Sequence, residues 1–340
     1  MGYLFSTAGK WAATALVVGF AFGTAQAEDL TKIKFGTNWL AEAEHGGFYQ
    51  AVADGTYKKY GLDVEIVQGG PQANNALLLP AGKIDFYMGG NMIASFSAVQ
   101  EGVPIVAVAA AFQKDPQILM SHPGVGMDKF EDLKKSSNIL IGQEFQATGY
   151  QWMKSAFGFT DEQVKPYNFN PAPFIADKTA VQQGYLTSEP AAVEKGGGFK
   201  PNVFLLADQG FNTYATLIVA RSEMVEKQPE IVQKFVDASI IGWINYLNGD
   251  NKAANELIKK DDPEMTDDQI AYSIAQMKAY GIVDSGDAAK LGIGAMTDEH
   301  MKSFFDKMVK AGVFKADLDY TKAYTLKFVN KNVGADLIKK

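Results

Sequence analysis

The chain has 340 residues, 47% hydrophobic and 21% charged, with 39 acidic against 32 basic residues and no cysteine. The composition is that of a soluble globular protein, and a net charge of −7 disfavours nucleic acid and anionic lipid as partners. Without cysteine there are no disulfides, thiolate metal sites, cysteine nucleophile or lipidated cysteine. At roughly 100 to 200 residues per domain, the length predicts two units.

In chain order, the first feature is Lys10 ahead of an apolar run from Trp11 to Phe22, followed by the small-residue site Ala25-Gln26-Ala27. This pattern predicts a secretory signal peptide over residues 1–27, cleaved before Glu28. The run is too short to span a bilayer. Met1-Gly2 with Ser6 also fits an acylation pattern, but the adjoining apolar run and cleavage site point to export. Cleavage removes Lys10 and leaves 313 residues with a net charge of −8. Having neither staple nor anchor, the mature chain is expected in a Gram-negative periplasm, stabilised by a large core.

A strand is predicted over Ile33 to Gly36, then a polar and aromatic turn from Thr37 to Glu44, a helix ending at Gly61 and a buried strand from Leu62 to Val67. A second helix and a strand ending in Gly89-Gly90-Asn91 follow. Gly61, Gly82 and Gly102 are the expected helix stops, where positive φ is needed. The near-continuous apolar run from Pro104 to Ala111 reads as a further buried strand. Near Ser121 a second unit begins, with strand Ile139 to Gly142, a helix from the N-cap Thr148 to Gly158, a capping box at Thr160 and Gln163, a helix from Phe174 to Gln183, and a short strand Tyr185-Leu186-Thr187. Gly196-Gly197-Gly198 reads as a loop. The apolar strand from Ala215 to Ala220 returns to the first unit, and helices follow at Pro229, Thr266 (with Gln269 as a second capping box) and Thr297. The expected division is lobe I over residues 28–118, lobe II over 119–213 and a return to lobe I over 214–340. Two α/β lobes joined by two crossings form a hinged cleft.

Asn38-Trp39, His45, Tyr49-x-Ala51, Gly55-x-Tyr57 and Tyr60-Gly61-Leu62-Asp63-Val64, continued by Ala81-Gly82-Lys83-Ile84-Asp85-Phe86 and Glu101-Gly102-Val103-Pro104, resemble the periplasmic binding proteins that share a domain with fungal thiamine-pyrimidine synthases. The resemblance implies a type II periplasmic-binding-protein fold, each lobe a mainly parallel sheet flanked by helices. It implies the solute-binding component of an ABC importer, partnered by an inner-membrane permease with its cytoplasmic ATPase, monomeric, and neither an enzyme nor a cofactor or metal carrier. Relatives of this kind bind pyrimidines, riboflavin, sulfonates, taurine and nitrate. The rival reading is a pyridoxal-phosphate-dependent pyrimidine synthase with a cysteine-rich iron site, which a cysteine-free exported chain does not fit.

Ligands of open α/β sheets bind beyond the carboxyl ends of the strands. At that edge Trp39 offers a ring for stacking on a flat solute, beside Asn38. His45 opens the first helix, either facing the cleft or capping the helix. Gly90 permits close approach and Asn91 supplies a donor and an acceptor, or merely caps the next helix. From lobe II, Gln146, Thr148 and Glu189 face the first lobe, although Ser188-Glu189-Pro190 also reads as a plain helix start. Tyr214 lies at the return crossing, as a cleft wall or a hinge residue. Phe86, Tyr87, Phe145 and Tyr150 are expected near the same turns. With Arg221 the only arginine, a neutral or weakly basic flat ring, such as a pyrimidine precursor of thiamine, is the expected ligand.

Overall fold

The computed structural model describes residues 1–4, 30–70 and 73–338; the expected signal peptide, beyond its first four residues, lies outside the described residues. Among the described residues, ten strands form two five-stranded sheets. The first has the order β2-β1-β3-β10-β4 and is built from β1 (Thr31–Gly36), β2 (Leu62–Val67), β3 (Phe86–Asn91), β4 (Ile105–Phe112) and β10 (Ala215–Arg221). The second has the order β7-β6-β8-β5-β9 and comprises β5 (Gln117–Ser121), β6 (Ile139–Ile141), β7 (Val164–Pro166), β8 (Val181–Tyr185) and β9 (Asn202–Leu205). In each sheet one strand runs against the rest: β10 is antiparallel to both β3 and β4, and β5 to both β8 and β9. The others share one direction, giving the periplasmic-binding-protein fold. The second sheet already begins at Gln117, just ahead of position 119.

Glycine contacts and aromatic packing hold the first lobe together. Phe86 stacks on Phe235 of the Pro229–Asn248 helix at 4.1 Å, and Phe35 meets Phe48 of the Gly46–Ala53 helix at 4.6 Å. The two helices cross where a methyl group at Gly242 would collide with the Gly47 carbonyl. Only glycine allows that approach.

Several elements differ from the sequence expectation, each for a local reason. The helix expected to reach Gly61 breaks at Asp54-Gly55, where Gly55 has φ 73° and the Asp54 carboxylate accepts from the Thr56 amide at 2.9 Å. Among the described residues between β2 and β3 there is only a short helical turn, Asn75–Leu77, because the Asn75 side chain bonds the carbonyls of Thr37 and Val67 instead. The helix expected from Phe174 spans only Ala172–Ala176; Asp177 turns the chain by accepting from the Thr179 amide, and β8 takes up the following residues. Gly196 and Gly197 end the Glu189–Gly197 helix, and Gly198 caps it at φ 68°. Thr148 holds the N-cap position without capping, its hydroxyl donating to the Glu144 carbonyl at 2.9 Å. At Thr266 the hydroxyl caps as expected, but the Gln269 side chain reaches across to the Ser188 carbonyl at 3.3 Å. Gly61, Gly82 and Gly102 do adopt positive φ, 77°, 67° and 69°, and Pro229 and Thr297 open their helices as read.

Candidate functional site

A cavity lies between the two sheets. The forward strands supply their carboxyl ends: β1 leads to Asn38 and Trp39, β3 ends in Gly90 and Asn91, β6 leads to Gly142 and Glu144, and β8 ends in Gly184 and Tyr185. The reversed strands supply their starts to the same edge, Gln117 from β5 and Thr216 from β10. One reversed strand per sheet therefore brings both chain crossings to the cavity.

Seven of the expected site residues line this cavity: Asn38, Trp39, His45, Gly90, Asn91, Thr148 and Glu189. Asn38 donates across the cleft to Glu144 at 2.7 Å, and Asn91 to the Thr148 hydroxyl at 3.4 Å. Asn91 also caps the Met92–Gln100 helix by accepting from the Ile93 amide, so both readings of that residue hold. The Trp39 ring meets Phe169 of the other lobe edge-on at 6.3 Å. Glu144 lies over Gly90, where a Cβ would collide with its carboxylate. Glu189 accepts from the Tyr167 hydroxyl at 2.9 Å and from the Tyr185 amide at 2.7 Å.

Gln146 and Tyr214 are not brought to the cavity. Gln146 lies one helical step past the lining residue Phe145 and uses its carbonyl to bind Gln151. Tyr214 turns into lobe I, where its ring packs on His300 at 3.9 Å, its hydroxyl donates to Asp287, and the Thr297 amide donates to it. Of the other expected rings only Phe145 lines the cavity; Phe86 is buried in the lobe I core and Tyr150 bonds the Thr160 carbonyl. Arg221 is structural, donating to the Ile84 carbonyl at 2.6 Å.

Sequence reasoning missed Glu42, Glu44 and Glu144, and with them the cavity's charge. Four glutamates line it with no Lys or Arg among the described lining residues. Burial pushes the carboxyls of Glu44, Glu144 and Glu189 up to about 7. Glu42 is likewise raised well above the ordinary glutamate value, by burial and then by the neighbouring charges of Glu44, Glu189 and Asp262. Burial drives His45 down to about 3, so it stays neutral although Glu42 lies 3.7 Å away. The signal was present in Glu42-Ala43-Glu44-His45, three titratable residues at the mouth of an apolar helix. Several buried cavity atoms have no hydrogen-bond partner: Asn38 Oδ1, His45 Nδ1 and both Glu44 carboxylate oxygens.

Fold and site together define a two-lobed protein of the periplasmic-binding-protein fold with its cavity between the lobes. The family model described as NMT1/THI5 like matches residues 42–253, and the chain belongs to that family. It is 23% identical to the riboflavin-binding protein RibY of Chloroflexus aurantiacus, covering 88% of this chain and 86% of that one. It is 24% identical to the 4-amino-5-hydroxymethyl-2-methylpyrimidine phosphate synthase of Schizosaccharomyces pombe, covering 61% of this chain and 63% of that one. Among solved structures, the ligand-binding component of an ABC-type import system from Staphylococcus aureus superposes with a TM-score of 0.63 at 15% identity, covering 88% of this chain and 97% of that one.

Proposed function

We propose that this chain is the solute-capturing component of an ABC importer, exported to the periplasm and acting there as a monomer that hands its solute to an inner-membrane permease. The solute is a small, flat, nitrogen-rich heteroaromatic molecule of the thiamine-pyrimidine type. One observation carries this reading: a cavity shared by both lobes, walled by Trp39 and lined with Asn38 and His45 atoms that lack a protein partner. Buried polar atoms without partners are costly, and a ring bearing amino and ring-nitrogen groups satisfies them while stacking on the indole. The cross-lobe bonds Asn38–Glu144 and Asn91–Thr148 belong to a closed arrangement, which a solute favours by touching both lobes.

The synthase alternative asks the same cavity to hold pyridoxal phosphate. That cofactor needs a lysine amine and a cradle for its phosphate, yet no Lys or Arg is among the described lining residues, and the iron site's cysteines are missing from the chain. The residues do not fit. Nitrate and sulfonates are disfavoured for the same reason, since an anion would meet four glutamates and no Lys or Arg among the described lining residues.

Calorimetric titration with 4-amino-5-hydroxymethyl-2-methylpyrimidine, riboflavin, taurine and nitrate tests the proposal. The pyrimidine is expected to bind and raise Tm by mass action. In Trp39→Ala its affinity should fall at least tenfold, about 1.4 kcal/mol, with an unchanged circular dichroism spectrum. Taurine or nitrate binding without pyrimidine or flavin binding would overturn the proposal.

A further inference from the structure

The Glu44 carboxylate is 1% exposed, lines the cavity, and neither of its oxygens has a hydrogen-bond partner. The Thr187 hydroxyl is the nearest donor to it, too poorly aligned to make a full hydrogen bond. The other three glutamates of the cavity have neighbours to answer to: Glu144 takes a bond from Asn38, Glu189 takes two, and Glu42 faces His45. Glu44 has only the Thr187 hydroxyl turned toward it, a weak pull against the burial that raises its carboxyl, and no Lys or Arg is among the described residues of its wall. A buried carboxylate in that position stays protonated or waits for a positive charge. A planar cation with two adjacent N–H groups would satisfy both oxygens at once, the bidentate arrangement that makes such pairs strong.

We propose that the captured solute is a planar organic cation, such as an amidinium or a protonated amino-heterocycle, and that Glu44 is the residue that anchors its charge. This rests on the solute-capture reading and narrows it to a charge state. Cation binding would displace the Glu44 proton into solvent, because a carboxyl held near 7 by burial is driven to its ionised form by an adjacent positive charge. The groups facing Glu44 do not supply that charge. Within its own turn these are Glu42 and the neutral His45. From other elements Glu189 acts on it directly, while Asp262 and Glu144 act on its neighbours Glu42 and Tyr185. Tyr185, Tyr246 and Tyr272 are held protonated by burial.

Three ring compounds of one shape and different charge test the inference: benzamidine, benzamide and benzoate. Calorimetry and thermal shift on the full chain should give benzamidine at least a tenfold advantage over benzamide and no binding of benzoate. Glu44→Gln should abolish that advantage while keeping benzamide binding. Equal affinity for benzamidine and benzamide in the unaltered protein, or an advantage that survives Glu44→Gln, overturns this inference and leaves solute capture standing. No binding of any of the three overturns both. Should Glu44→Gln fail to fold, the unaltered protein still decides: benzamidine affinity should rise from about pH 6 to about pH 8 with proton release in buffers of differing ionisation enthalpy. A pH-independent affinity overturns the inference.

Discussion

Glu44, Glu144 and Glu189 all titrate near 7 when buried, against 4.5 for an ordinary glutamate. Between those values the folded chain holds protons that the unfolded chain has lost. Stability is therefore fully present below about pH 4.5 and is lost as pH rises through 7, by about 3 kcal/mol per carboxyl. His45 acts oppositely, being held neutral in the fold while the unfolded imidazole still binds a proton between about 3 and 6.5. Above its ordinary value only the carboxylates remain. Below it three carboxyls outweigh one imidazole, so the ligand-free protein is expected to lose Tm from about pH 4.5 to about pH 7 and to level off above, and Glu44→Gln to recover several degrees at the upper end. A flat Tm across that range, checked by differential scanning calorimetry, would contradict the placement of these groups. The sequence pointed to Trp39, His45 and Asn91 because Trp39 and Asn91 sit at strand ends and His45 opens the following helix, where side-chain type and position agree. It could not show that Glu144 crosses to Asn38, since those two are 106 residues apart.

At the level of elements, the pairing of the Gly46–Ala53 and Pro229–Asn248 helices sets where His45 lies. Gly46 and Gly47 leave room for Tyr246 and Trp243, and Gly242 leaves room for the Gly47 carbonyl. Gly242→Ala is expected to cost about 1 to 3 kcal/mol, read as a lowered midpoint in urea; an unchanged midpoint would mean that the crossing yields easily. The strands were the most readable elements, β2 agreeing with its expected range residue for residue, although it is an edge strand with Asp63 and Glu65 exposed rather than the buried strand expected. Helices were misjudged where asparagine or aspartate side chains bind the local backbone, as at Asp54, Asn75 and Asp177. That competition turns on side-chain direction and leaves no periodicity to read.

Across the whole molecule, the Asp267–Ala279 helix acts as a clasp. It lies against both the Ala43–His45 turn of lobe I and the Glu189–Gly197 helix of lobe II. It donates from Gln269, Tyr272 and Ser273 to the carbonyls of Ser188, Leu186 and Thr187, the last at 2.7 Å. Ser273→Ala removes the shortest of these bonds, worth about 0.5 to 1.5 kcal/mol. The solute should then dissociate a few times faster, and the radius of gyration from small-angle scattering should rise. Unchanged values of both would show that the helix travels with one lobe through the hinge motion. The bilobal plan was legible because the apolar strand grammar stops near Ser121 and resumes at Ala215; the clasp was not, because its partners are backbone carbonyls, identical in every residue. The position of β10 has a consequence for the order in which a growing chain can fold. It fills the slot between β3 and β4, so the first sheet has a gap until Arg221 has emerged, whereas every strand of the second lies between Gln117 and Leu205. The inserted lobe is complete before its host, and the apolar residues of β4 wait longest for a neighbour, making that strand the stretch most in need of protection before the chain is finished.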